Sequence, residues 1–161
     1  MAIIYESGSF IVLSADTPLV DRNDGGHIII EPRVKISTRQ DLSAKQAVEL
    51  MRLTIIVGAA MEKVMNQNGV DIGRINYQDN GNWSVFKPQG AHLHYHLYGR
   101  AKSAKIQKYG QTLSMPHIEE NPEYYKELKP LSDEDVSEIR NEIELLLKEK
   151  RFSDESWGIT N

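Results

Sequence analysis

The sequence predicts an α+β fold, in which an antiparallel sheet of about five strands packs against a long central helix and a C-terminal helix. Three observations predict it. Short β-branched runs occur before residue 31 and again between residues 71 and 98, residues 43–68 have helical periodicity, and a second helical stretch begins at Ser132. A chain of 161 residues is expected to form one core, so we predict a single domain over residues 1–161.

The first strands are predicted at Phe10–Leu13 and His27–Ile30, two compact runs rich in β-branched residues. The segment between them ends in the polar, turn-forming stretch from Asp21 to Gly26. An antiparallel hairpin or meander is therefore expected in this third of the chain.

The long helix is predicted from Ser43 to about Asn68, because apolar residues recur there at helical spacing. Ser43 with Gln46 three residues later resembles a capping box, and Gly69 suits the left-handed position after the last turn. The sequence thus marks both ends of this helix.

Three further strands are predicted at Asp71–Tyr77, Trp83–Phe86 and His92–Tyr98, the first two joined by a turn over residues 79–82. Residues 100–130 are polar and contain three prolines, which predicts a loop-rich connection. Ser132 should open the last helix, with acidic residues 133–135 in its first turn and the basic residues Lys148, Lys150 and Arg151 at its end.

Composition excludes several classes of function. The formal net charge is −4 and there is no cysteine, so neither sequence-specific nucleic-acid binding nor a thiolate-based metal site is expected. The N-terminal residues have no basic region followed by a long apolar run, so we expect no signal peptide, no membrane partner and a cytoplasmic protein.

The chemistry is predicted to lie in the stretch His92-Leu93-His94-Tyr95-His96-Leu97-Tyr98. Residues two apart on a strand line the same face, so this pattern would place three imidazoles side by side, and only five histidines occur in the whole chain. The intervening Leu93, Tyr95 and Leu97 would face a core and hold the strand in place.

This stretch resembles the signature His-φ-His-φ-His-φ-φ, with φ an apolar residue, of the histidine triad family. Residues Gly26 to Arg33 are similar to the family's Gly-His-apolar-apolar-apolar-x-Pro-basic strand, and Asp41-Leu42-Ser43 and the helix follow as in the family. The resemblance covers roughly residues 3 to 100, the expected core, and leaves the loop-rich connection and C-terminal helix of residues 101–161 outside it.

The resemblance implies a nucleotide hydrolase that cleaves at the α-phosphate of a dinucleoside polyphosphate or nucleoside phosphoramidate, without a metal or other cofactor. His94 would attack phosphorus and form a covalent nucleotidyl-histidine, and His96 would assist the leaving group as an acid with a pKa near 6.5. His92 would fix the tautomer of His94 through its backbone carbonyl, and His27 would approach from the neighbouring strand. A related transferase branch has glutamine at the third triad position, so His96 favours water as acceptor.

On the substrate side, the resemblance assigns Asp16 to the ribose hydroxyls, with Asp21 or Asp24 as alternatives. Asn76, Gln78 or Asn80 would supply an amide to the substrate. The loop before the triad reads Lys87-Pro88-Gln89-Gly90-Ala91 and departs from the family's Gly-Gln-Ser/Thr pattern, so Lys87 and Gln89 are the candidates for phosphate contacts.

Two alternatives belong to other functional classes. One is a nucleotide-binding regulatory module with little turnover, suggested by the altered loop, and the other is a metalloenzyme that binds its ion through alternating histidines. We also expect a homodimer, as the family implies, because Leu53, Ile56 and Ala60 widen the apolar surface of the long helix beyond what one sheet covers. The alternative is a monomer in which the C-terminal helix packs over the same surface through Ile139, Ile143 and Leu146.

Overall fold

The computed structural model describes residues 1–79 and 82–159 and contains the predicted five-stranded sheet. All neighbouring strands are antiparallel, in the order β1-β2-β3-β5-β4. The strands are β1 (Ala2–Glu6), β2 (Phe10–Ser14), β3 (His27–Pro32), β4 (Ile72–Gln78) and β5 (Tyr95–Ala101).

The long helix α1 runs from Ala44 to Gln67, and both of its predicted end signals are confirmed. Ser43 and Gln46 form a reciprocal capping box, and Gly69 has a φ of 81°, a left-handed conformation that favours glycine. Two more α-helices follow, α2 (Pro122–Lys126) and α3 (Asp133–Leu146).

One face of the sheet forms the core with α1, and α3 packs on α1 and against β1. Ile28 and Ile30 of β3 and Leu97 of β5 point into this core, so their alternate neighbours must point to the opposite face. The opposite face therefore receives the side chains of His27 and His96.

Helix α3 is held at its start by Asp135, whose carboxylate accepts hydrogen bonds from Arg22 at 2.6 and 2.7 Å and from Ser132. The prediction for its other end is wrong. The helix ends at Leu146, so Lys148, Lys150 and Arg151 lie beyond its last turn.

One predicted strand is also wrong, although the number of strands is right. Residues 83–86 belong to a short 3-10 helix, Asn82–Ser84, and the turns that follow, whereas β1 completes the sheet at its other edge. The predicted turn at Asn80 and Gly81 lies outside the described residues. Residues 100–130 are loop-rich as predicted, apart from α2.

The triad stretch is only partly in a strand. Strand β5 begins at Tyr95, which pairs with Ile30, while His92 and His94 precede it in a segment without regular secondary structure. The amide of Leu93 donates instead to the carbonyl of Ile36 at 2.7 Å, beyond the end of β3. Leu93 and Leu97 are buried, as predicted.

The surface on which we based the homodimer is covered within one chain. Leu53, Ile56 and Ala60 are 3%, 0% and 0% exposed, because Ile139 and Ile143 of α3 belong to the same buried cluster. Among the described residues, no helix is long and apolar enough to cross a membrane.

Candidate active site

The antiparallel pairing of β3 with β5 brings two of the predicted catalytic histidines into contact. His27 lies opposite Tyr98 and Ile29 lies opposite His96, so His27 and His96 are diagonal neighbours on the same face. Nε2 of His27 is 2.9 Å from Nδ1 of His96, and the side chains are 2% and 5% exposed.

A backbone amide fixes the tautomer of both rings. The N–H of Leu19 donates to Nδ1 of His27 at 3.2 Å, so the proton of neutral His27 is on Nε2. That Nε2–H donates to Nδ1 of His96, which leaves the proton of His96 on its own Nε2. His96 can therefore offer an N–H donor to a bound substrate.

His94 has the opposite tautomer, as the sequence predicted. Its Nδ1 lies 3.0 Å from the backbone carbonyl of His92, which can only accept a hydrogen bond, so the proton is on Nδ1 and Nε2 carries a lone pair. The His92 ring stacks on that of His94 at 4.6 Å, and His96 meets His94 edge-on at 4.6 Å. A nucleophilic nitrogen thus stands beside a donor N–H.

Burial changes the acid–base properties of the cluster. It lowers the pKa of His27 well below the ordinary 6.5, and repulsion between protonated His27 and His96 adds to this effect. Burial and the neighbouring His94 lower the pKa of His96 to about 3, and burial also lowers that of His92. The prediction that His96 is an acid with a pKa near 6.5 is therefore wrong, because the ring is almost completely removed from water.

The four histidines line a cavity of about 590 Å³, of the size that holds a small-molecule ligand. Its walls contain apolar side chains, among them Leu19, Ile29 and Trp83. They also contain the charged side chains of Glu31 and Lys87. Such a surface suits a ligand with a flat apolar part and a charged part.

No protein-family model matches the sequence, and no curated protein matches it significantly. Solved structures do match. A hypothetical histidine triad nucleotide-binding protein from Sulfolobus tokodaii is 17% identical with a TM-score of 0.57, over 91% of this chain and 85% of that one. A histidine triad protein from Bradyrhizobium japonicum is 19% identical with a TM-score of 0.56, over 88% of this chain and 90% of that one. The chain has the histidine triad fold.

A diadenosine triphosphate hydrolase from Plasmodium falciparum shares the histidine triad fold as well. It is 17% identical to this chain with a TM-score of 0.54, over 94% of this chain and 78% of the hydrolase. The predicted fold class, with its long helix and C-terminal helix, is thus confirmed by the structure and by these likenesses.

The acidic candidates for the ribose lie outside the cavity. Asp16 is exposed and pairs with the N-terminal ammonium of Met1, next to Thr17, which does line the cavity. Asp21 and Asp24 have structural roles, because Asp21 accepts from the amides of Asn23 and Lys129, and Asp24 from three successive amides of residues 105–107. Among the described residues that line the cavity, the acidic one is Glu31.

Some of the residues predicted to contact the substrate through an amide or to bind its phosphates line the cavity, and others do not. Lys87 and Gln89 line the cavity, and Lys87 also pairs with Glu119 at 2.9 Å. Gln78 lines it as well, whereas Asn76 accepts a hydrogen bond from Arg100 and lies elsewhere. Asn80 lies outside the described residues.

Sequence reasoning missed one wall of the cavity, which is formed by Leu113, Met115 and Ile118 in the segment 113–118. Gln107 holds this segment through two hydrogen bonds with the backbone of Ser114, at 2.7 and 3.0 Å. The only sequence signal is a few apolar residues within a polar, proline-containing stretch, which is too weak to place them.

Among the residues that the structure describes, no group of three or more His, Asp or Glu side chains is arranged to hold a metal ion. His96 offers no lone pair to an ion, because its Nδ1 accepts from His27 and its Nε2 carries the proton. The geometry thus offers no particular support for the metalloenzyme alternative.

The buried histidines predict a stability that falls in mild acid. Unfolded histidine takes up a proton below pH 6.5, but folded His27 and His96 resist protonation, so stability is present above pH 6.5 and is lost as the pH falls toward 3. Between pH 7 and 5, the free energy of unfolding should drop by about 2 kcal/mol for each of the two rings. Urea unfolding at both pH values measures it.

The variant His96→Asn should lose about half of this drop, whereas the control His117→Gln, a histidine outside the cluster, should keep all of it. An equal drop in wild type and His96→Asn would show that the buried pair is not responsible.

Proposed function

We propose that this chain is a histidine triad hydrolase that cleaves at the α-phosphate of a dinucleoside polyphosphate or a nucleoside phosphoramidate. The observation that carries the proposal is the tautomer of His94, whose Nδ1–H donates to the carbonyl of His92 and leaves Nε2 free to attack. Neutral imidazole with a free Nε2 is a good nucleophile at pH 7.

In the first step, the Nε2 lone pair of His94 forms a bond to the α-phosphorus while the bond from phosphorus to the leaving oxygen or nitrogen breaks. The electron pair of the broken bond goes to the leaving atom, toward which the Nε2–H of His96 donates a hydrogen bond. A leaving phosphate departs as the anion, and a leaving nitrogen takes its proton from solvent. The His94 ring becomes positively charged, and its Nδ1–H bond to the His92 carbonyl stabilises that charge.

In the second step, water attacks the same phosphorus and the bond from phosphorus to Nε2 breaks, which returns the electron pair to His94 and releases a nucleoside monophosphate. The proton lost by the water goes to solvent or to the phosphate product. The Nδ1–H of His94 donates to the His92 carbonyl through both steps, so His94 returns to the starting tautomer.

The likenesses to solved structures support the same class of reaction, since one neighbour is described as a diadenosine triphosphate hydrolase and another as a nucleotide-binding protein. Lys87 and Gln89, which line the cavity beside the triad, are our candidates for the phosphate oxygens. For the ribose we propose Glu31, which lines the cavity, whereas Asp16, the acid that the resemblance assigns, lies outside it beside the cavity-lining Thr17.

His94→Ala should abolish turnover but keep nucleotide binding within a few-fold, because the side chain makes the bond to phosphorus while other residues hold base and ribose. Initial rates with a diadenosine polyphosphate and with a fluorogenic nucleoside phosphoramidate measure the first effect. Calorimetric titration with AMP measures the second.

His117→Ala is the matched control, because His117 lies outside the triad, and its ring meets that of Trp83 at 5.1 Å and accepts from the amide of Glu119. It should keep turnover near the wild-type rate. Turnover by His94→Ala within a few-fold of wild type would refute the assigned nucleophile, and AMP binding by a wild-type protein without turnover would favour the regulatory module.

We also propose a homodimer, with an interface formed by other residues than Leu53, Ile56 and Ala60, which are buried within one chain. Met51 and Ile55 on α1 are 55% and 40% exposed, and Tyr77 on the edge strand β4 is 43% exposed. Tyr77 packs over Gly58, which lies on the same stripe of α1, so the three form one apolar surface.

Light scattering at micromolar concentration should therefore give the mass of two chains for the wild type. Ile55→Glu should shift the mass toward one chain, while Ile106→Glu, which changes an equally exposed isoleucine elsewhere, should not. A wild-type mass of one chain would remove the dimer.

A further inference from the structure

A second cavity adjoins the active site on the same face of the sheet. It has a volume of about 470 Å³, lies over β4 and the end of β5, and shares Gln78 and Leu113 with the first cavity. The proposed function makes no use of it.

Two arginines stand in this cavity directly across from each other. Arg74 of β4 pairs in register with Arg100 of β5, and both line the cavity. Like charges opposite each other on neighbouring strands are destabilising. None of the ion pairs formed in residues 1–79 and 82–159 includes either arginine, and no acidic residue is among the described lining residues.

Arg100 is buried, at 7% exposure, and its hydrogen bonds do not neutralise its charge. Nη1 donates to the side-chain oxygen of Asn76 at 3.1 Å, and Nη2 donates to backbone carbonyls of residues 107, 108 and 111. All of these acceptors are neutral, and Nε has no partner in the described structure. A buried cation without a counter-charge is costly, so an anion in this cavity would be stabilised.

The position of the arginines suits a phosphate chain. The Arg100 guanidinium reaches Asn76, which lies two residues, roughly 7 Å, along β4 from Gln78. Gln78 is opposite His96 at the reaction centre. An anion beside Arg100 would therefore lie one or two phosphates beyond an α-phosphate held at His94.

We propose that the second cavity is the leaving-group subsite and that it binds the phosphate chain of a polyphosphate, which makes dinucleoside polyphosphates the preferred substrates. This inference rests on the proposed hydrolysis at His94, and it narrows the choice between the two substrate classes.

The state of His96 supports the same choice. Because its pKa is about 3, His96 is neutral at pH 7 and offers a hydrogen bond rather than an imidazolium proton. A phosphate chain leaves as a stable anion without taking up a proton, whereas an amine must be protonated as it leaves. The cluster therefore serves an anionic leaving group better than an amine.

The test compares two substrates with different leaving groups, diadenosine tetraphosphate and a nucleoside phosphoramidate that releases a neutral amine. Arg74→Gln should lower kcat/KM for the tetraphosphate about tenfold, since one charged hydrogen bond to phosphate is lost. It should change kcat/KM for the phosphoramidate less than twofold. Arg74 is exposed, so the substitution leaves the core intact.

Arg151→Gln is the matched control, an exposed arginine near the C-terminus that pairs with Glu149, and it should change neither value. An equal effect of Arg74→Gln on both substrates, or no effect on either, would overturn the subsite. If the wild type hydrolyses neither substrate, the proposed function fails. Calorimetry with inorganic tripolyphosphate then tests the subsite separately from hydrolysis. The subsite is supported if Arg74→Gln binds tripolyphosphate at least fivefold more weakly than wild type, and it is refuted if the two proteins bind it equally.

Discussion

The antiparallel pairing of β3 with β5 is the constraint on which the whole site depends. Its register makes His27 and His96 diagonal neighbours. Because the Leu19 amide donates to His27, the hydrogen bond between the two rings, at 2.9 Å, must run from Nε2–H of His27 to Nδ1 of His96. A slip of one residue in either strand would turn the histidine of that strand into the core, because side chains alternate along a strand. The buried Ile28, Ile30 and Leu97 prevent that slip.

Two backbone groups thus determine the chemistry of two imidazoles. The amide of Leu19 leaves His96 as a hydrogen-bond donor, and the carbonyl of His92 leaves His94 with a free lone pair on Nε2. Burial then keeps the donor neutral at physiological pH. Main-chain groups cannot titrate in this range, so the hydrogen-bond direction from His27 to His96 holds until the buried pair itself is protonated.

Much of the fold could be predicted from the sequence because its signals are local. The Ser43–Gln46 capping box, Gly69 and the β-branched runs each depend on neighbouring residues only. Trp83–Phe86 was misjudged because a short run of apolar and aromatic residues suits a strand or an irregular turn, and only pairing decides between them. The sequence left two covers open for the apolar surface of α1, a second subunit or α3, because the packing of α3 is a long-range contact.

In the site, too, features that depend on local sequence could be predicted, and features that depend on long-range packing could not. The histidine pattern and the role of the His92 carbonyl follow from spacing and resemblance, whereas the pKa of His96 depends on how many distant residues exclude water. Gln78, Glu31 and the segment 113–118 reach the cavity through tertiary packing. Asp21 and Asp24 could not be distinguished from ligand-binding acids until their backbone partners were known.

The central claim is that His94 carries the nucleotide during turnover. Mass spectrometry of protein quenched in alkali during hydrolysis of diadenosine tetraphosphate, followed by peptide mapping, tests it most directly, since a phosphorus–nitrogen bond survives alkali better than acid. The account predicts the added mass of one nucleoside monophosphoryl group on the peptide that contains residues 92–96, with fragment ions that locate it on His94. An adduct on another residue, or active turnover with no adduct at any time point, would contradict it.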